Sequence, residues 1–156
     1  AALGRGIHEA EKELTQRLVA DSDGPPPLWP VPEHVERIAD AMDGLIHACQ
    51  LMEADGTRLT ARGMREVNCL FDRALALLES AGDLALTANT GLARRVELES
   101  MRFQDLAAEY ARAHEERMVE GICRPASSSA YLAILDYLRE VTSQARLITR
   151  RISPGF

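Results

Sequence analysis

The strongest constraint on the fold is the spacing of apolar residues in the last long stretch of the chain, Ser128 to Ile152, which reads SSAYLAILDYLREVTSQARLITRRI. Tyr131, Ile134, Leu138, Val141, Ala145, Ile148 and Ile152 advance in steps of three and four. That period gathers side chains along one side of an α-helix. Pro125 and the run Ser127-Ser128-Ser129 come first, a helix breaker followed by hydroxyls able to cap free N–H groups. Asp136, Arg139, Glu140, Ser143, Arg146 and Arg150 project away from the seam. A helix of this kind cannot bury its apolar seam alone, so the rest of the chain must supply partner helices.

Length and composition agree. A chain of 156 residues fits one domain with a real core. With 46% apolar residues but only 4% aromatic, it favours an all-α bundle over a β-rich fold. The net charge of −6 argues against a nucleic-acid partner, because such binding rests on neutralising phosphates. Cys49, Cys69 and Cys123 lack C-x-x-C spacing, which disfavours a disulfide framework or zinc knuckle and suits a reducing cytosol. Cys49 falls on an apolar face, where a buried free thiol is expected. No run approaches the roughly 20 apolar residues needed to span a bilayer, and no signal peptide is visible. The chain opens inside a helix-like pattern without Met, as expected of a soluble domain excised from a longer protein.

Residues 5–20 place Ile7, Ala10, Leu14 and Leu18 on one face, predicting a short N-terminal helix. Residues 21–32 carry five prolines and predict an extended linker, with Trp29 as an anchor on a neighbouring helix. From Glu33 to Glu53 a second seam appears: Val35, Ile38, Met42, Leu45, Cys49 and Met52. At about 100° per residue, Glu36, Asp40, Asp43 and His47 form a stripe on the nearly opposite face. Asp55-Gly56 ends that helix, and Thr60 or Arg62 begins another that runs to about Thr87. Its broad apolar face (Val67, Leu70, Phe71, Ala74, Leu77, Leu78, Ala81, Leu84) suggests the most buried helix of the bundle. After Thr90-Gly91, a helix from Leu92 to Glu120 carries Val96, Phe103, Leu106, Tyr110 and Ala113, with Glu99 interrupting its seam and Gly121 as C-cap. Short connections imply an antiparallel, up-down arrangement of four long helices.

An internal repeat follows from laying residues 34–49 on residues 137–152. The seam positions coincide: Val35 with Leu138, Ile38 with Val141, Met42 with Ala145, Leu45 with Ile148, and Cys49 with Ile152. On the outer face Glu36, Asp40, Asp43 and His47 overlay Arg139, Ser143, Arg146 and Arg150, acidic in one copy and basic in the other.

Val35-Glu36-Arg37-Ile38-Ala39-Asp40 resembles the "LERIGD" helix of PhoU domains, bundles of repeated three-helix units. Residues 131–148 resemble the "LRRINS" version found at the C-terminus of sodium/phosphate-cotransporter-related membrane proteins, and HEERMVEG at residues 114–121 is similar to that subgroup too. The resemblance covers about residues 33–152. It implies a PhoU-like helical bundle over residues 33–153, a Pro-rich linker at 21–32, and the end of a preceding unit at 1–20. It further implies a regulatory domain on the cytoplasmic side of the inner membrane that acts by binding rather than catalysis, attached to a transmembrane transporter portion. No cofactor is required, although some PhoU proteins hold metal clusters on Glu/Asp-x-x-x-Asp motifs. Glu36 and Asp40 match that pattern, whereas the matching positions in the last helix are Arg139 and Ser143.

Glu36, Asp40, Asp43 and His47 are therefore the candidate ligands for a divalent or iron-type metal, weighed against a plain solvated helix face. Arg139, Arg146 and Arg150 are the candidate anion or partner surface, since guanidinium forks suit phosphate oxygens. Their ordinary alternative is pairing with neighbouring acidic residues. Opposite charge on the two helices suggests docking between copies, as a homo-oligomer, or onto a transporter loop. His114 reads as a surface or helix-end histidine rather than a general base. A free-standing helical scaffold or dimerisation protein is the alternative to the transporter-linked reading.

Overall fold

A computed structural model describes Lys12 and residues 31–153. The proposed N-terminal helix, the anchoring role of Trp29 and most of the Pro-rich linker lie outside the described residues. Between Val31 and Ser153 the chain forms four helices and no strand: α1 (Val31–Ala54), α2 (Ala61–Thr87), α3 (Thr90–Val119) and α4 (Pro125–Ile152).

Each helix has local reasons to start and stop. Pro32 sits in the first turn of α1, where no donor is lost, and Glu33 places a carboxylate near the positive end of the helix dipole. At the other end Gly56 adopts φ 63°, while Thr57 N–H bonds Met52 O at 2.9 Å and Gly56 N–H bonds Glu53 O at 3.2 Å. This is a Schellman ending. Gly121 (φ 73°) closes α3 in the same way, with Ile122 N–H on Arg117 O at 2.9 Å. Thr60 caps α2, its hydroxyl accepting from Gly63 N–H at 3.1 Å, and Asn89 caps α3 by accepting from Gly91 and Leu92 N–H. Ser127 and Ser128 fall inside the first turn of α4 and do not cap it as expected. The N-cap is Arg124, with no side-chain cap, and the Ser127 and Ser128 hydroxyls instead donate back to Arg124 O.

α4 is the hub: α1, α2 and α3 all pack on it, and α2 packs on α3. α1 touches neither α2 nor α3 along the backbone. The directions follow from the side chains that meet. His34 near the start of α1 reaches Gln144 near the end of α4, and Glu97 near the start of α3 reaches Arg146 and Arg150 of α4. Glu66 and Tyr131, both early in α2 and α4, also meet. α1 and α3 are thus antiparallel to α4, and α2 is parallel to it.

Two cores share α4. The larger gathers Leu70, Ala74, Leu77, Val96, Phe103, Ala107, Tyr131, Ile134, Leu135 and Leu138, with Ala48 from α1. The smaller joins Val31, Ile38 and Ala41 of α1 to Val141 and Ile148 of α4. Burying side chains such as Phe103, Leu70 and Leu138 stabilises the fold by about 1.5–3 kcal/mol each. α1 and α4 approach closely at Gly44, where the Tyr137 ring occupies the space a Cβ would need.

Three expectations are corrected. Cys49 is exposed rather than buried, because among the described residues the backbone of α1 meets only that of α4 and no helix there closes over this part of its seam. α4, not α2, is the most buried helix. Phe71, placed on the core face of α2, is 40% exposed. Glu99 does not interrupt the buried stripe of α3, which runs through Ser100 instead, although it does meet an arginine as its place in the seam leads one to expect, Arg102 at 2.6 Å.

Candidate functional site

The acidic stripe lies where its spacing places it. Glu36, Asp40, Asp43 and His47 are all exposed along α1, with His47 bordering a hollow shared with Ser129, Ala130 and Ala133 of α4. They come from one helix face, and among the described residues no group of three or more His, Cys, Asp or Glu side chains converges as a metal cage would.

The basic stripe is engaged within the fold. Arg139 Nε donates to Gln104 Oε1 at 3.0 Å, Gln104 Nε2 returns a bond to Arg139 O at 3.0 Å, and Asp136 pairs with the Arg139 guanidinium at 3.4 Å. Arg146 and Arg150 converge on Glu97 of α3. Arg146 Nε donates to it at 2.7 Å, and Arg150 donates through Nη2 at 2.6 Å and Nε at 3.1 Å. The bonds from Arg146, then those from Arg150, hold the Glu97 carboxyl well below the usual carboxylate range, at about 2. These three arginines pin α3 to α4.

A third constellation was not expected as such. At the end of the bundle where α2 begins, α3 ends and α4 begins, Glu66 is buried among four donors. Its Oε1 accepts from Arg62 Nε at 2.9 Å and Arg117 Nη1 at 3.1 Å, and its Oε2 accepts from Arg117 Nη2 and the Tyr131 hydroxyl, both at 2.7 Å. The fork from Arg117 is bidentate, the strongest geometry for such a pair. Burial pushes the Glu66 pKa up, but the bonds from Tyr131, Arg117 and Arg62 outweigh it and hold the pKa below its ordinary value. Burial raises the Tyr131 pKa, and the bond to Glu66 adds to the shift.

His114 completes the cluster. Read from sequence as a surface histidine, it is only 4% exposed and stacks on Tyr131 with ring centroids 4.2 Å apart. Its Nε2 and the Nε of Arg117 are buried without a partner. Burial first, then the Arg117 charge, lowers the His114 pKa below its ordinary value. Cys123 is buried beside the same cluster, with its N–H on Arg117 O at 3.2 Å. The sequence carried a signal for this. Val96, Ser100, Phe103 and Ala107 of α3 are buried at steps of four, three and four, and continuing through Tyr110 lands on His114 and Arg117.

Between the C-terminal half of α1 and the N-terminal half of α2 lies an open cleft of about 950 Å³. Leu45, Cys49 and Met52 form one wall, Met64, Val67 and Phe71 the other, and Ile134 and Leu138 of α4 the floor. Searches against protein-family models, curated proteins and solved structures found no match for this chain. The all-α bundle therefore stands on its own geometry, and no family assignment follows from comparison.

Proposed function

We propose that this chain is a PhoU-like regulatory domain that works by binding rather than catalysis, on the cytoplasmic side of the inner membrane, as part of a sodium/phosphate-cotransporter-like protein. The family resemblance of residues 35–40 and 131–148 supports this reading, and so does the all-helical bundle. Among the described residues no helix is long and apolar enough to cross a membrane, so any transmembrane portion would lie elsewhere in the protein.

The observation that carries a binding role is the contrast between the two charged stripes. Arg139, Arg146 and Arg150 are spent on α3, whereas Glu36, Asp40, Asp43 and His47 are exposed on a helix whose backbone, among the described residues, packs on α4 alone. Docking between the acidic stripe of one copy and the basic stripe of another would compete with the Glu97 pairs. A separate basic partner suits the acidic face better. Cytoplasmic loops of membrane proteins carry an excess of Lys and Arg, and complementary potentials steer such encounters. The test is co-purification of the bundle with the transmembrane part of the intact gene product. Binding should weaken with salt and disappear when Glu36→Gln, Asp40→Asn and Asp43→Asn are combined. Unchanged binding in that variant would remove the reading, as would an intact gene without transmembrane segments.

The open cleft favours a second reading, a free-standing scaffold that dimerises. Met64, Phe71 and Leu75 are 47%, 40% and 49% exposed along α2. Two copies joined there should sediment as a dimer and separate on Phe71→Glu.

A further inference from the structure

We infer that the Glu66–Arg117–Tyr131–His114 cluster is an acid-operated latch, in which a proton on His114 releases the N-terminal turns of α2 from α3 and α4. The reasoning starts from donor and acceptor capacity. A carboxylate offers about four lone-pair sites, and Glu66 already accepts four bonds, from Arg62, Arg117 twice and Tyr131. It has none left to give. Neutral imidazole can carry its proton on either nitrogen, but the imidazolium carries one on both. Protonation therefore puts a donor on Nε2, which is buried and without a partner. A buried donor left unpaired is destabilising, and more so when it carries charge.

The groups around the ring offer the new donor no free acceptor. α2 contributes Glu66, whose negative charge favours the imidazolium but whose oxygens are already committed, and Arg62, a cation. α3 contributes Arg117, whose charge opposes a second one nearby, with Glu115 as a weaker favourable influence and Tyr110 half-buried a turn earlier. α4 contributes Tyr131, stacked on the ring and donating its hydroxyl to Glu66 rather than to His114. The α3–α4 connection contributes the Cys123 thiol.

The easiest relief is to let water in, and the helix that yields is α2. Its N-terminal half meets α3 and α4 through Gly63, Glu66 and Leu70, while its other side forms a wall of the open cleft. Opening the latch would therefore move Met64, Val67 and Phe71 and reshape the cleft. The far end of the bundle, held by His34–Gln144 and by Glu97 with Arg146 and Arg150, contains no part of this cluster and should stay closed.

Amide hydrogen exchange at pH 7.5 and pH 5.5, corrected for intrinsic rates, tests this on the whole chain. Residues 62–67, 114–118 and 128–132 should lose several-fold, up to about tenfold, in protection at the lower pH, while residues 36–42 and 141–149 keep theirs. In His114→Gln the loss should disappear. Protection that falls equally in that variant would overturn the latch. Should His114→Gln not fold, the imidazole resonances of the unaltered protein decide. His114 should then titrate below the ordinary imidazole value of 6.5, over the same interval in which residues 62–67 open. A titration at or above that value, or one without any change in protection, overturns the proposal.

Discussion

Glu66 shows how one buried charge can hold three helices together. It sits in register with Leu70, Ala74, Leu77, Ala81 and Leu84 on the inner stripe of α2, so its burial follows from position. Its charge is tolerated because Arg117 and Tyr131 meet it there. Removing one member of a buried pair leaves the other uncompensated, so Arg117→Ala should destabilise the protein by about 3–5 kcal/mol in urea unfolding. Tyr131→Phe removes one neutral donor and keeps the packing, and should cost only about 1–2 kcal/mol. The Glu97 pairs make an acid-sensitive contribution with a definite sign. Its carboxyl titrates at about 2 in the fold against an ordinary 4.5, so the stabilisation is complete above 4.5 and drains away as pH falls toward 2. In Glu97→Gln the melting temperature should start lower at neutral pH and fall less between about pH 5 and about pH 2.5. Part of this was legible in advance, since pairing with neighbouring acids was the ordinary alternative for Arg146 and Arg150. Glu66 and His114 were not, because a charged residue in an apolar register reads as an interruption until its partners are brought together from other helices.

At the scale of elements, periodicity marked out all four helices, and the glycines marked two of their ends. Gly56 and Gly121 sit where only a left-handed residue closes the turn. What periodicity could not say was which face meets which helix. Cys49 and Phe71 both fall on apolar seams, and both lie exposed, because α1 and α2 diverge instead of packing. The close approach of α1 to α4 was equally invisible. Gly44→Ala would gain about 1 kcal/mol in helix propensity yet force Tyr137 out of its place, an overpacking cost of about 1–3 kcal/mol. A net loss is expected in thermal unfolding, and Tyr137→Ala introduced together with it should remove the clash. Ala88 presents the opposite case. It takes φ 50° at the end of α2, a conformation costly for a residue with a Cβ. Ala88→Gly should therefore stabilise the protein by about 0.5–1 kcal/mol.

Among the described residues, α2, α3 and α4 form a three-helix bundle with α1 laid along the outside of α4. The interior pattern of α4 was clear from its seven-residue seam, and its part as the common member of both cores agrees with the weight that seam carried. The equivalence of α1 and α4 as repeats is a different matter: they do hide similar apolar faces, but they hide them against each other. An arm held along one seam should open before the rest. Amide protons of α1 should exchange sooner than those of α3 and α4, and Ile38→Ala should speed α1 exchange while leaving α3 nearly unchanged.

The single attachment of α1 also governs how anything acting on that helix is felt elsewhere. Among the described residues, a tug on its outer carboxylates reaches the other helices through the seam shared with α4, where Ile38 and Ala41 meet Val141 and Ile148 and Tyr137 bears on Gly44. Tyr131 rides on the same rod, six residues from Tyr137 and so about 9 Å along it. A small tilt of α1 is thereby delivered within two turns of the buried Glu66 carboxylate.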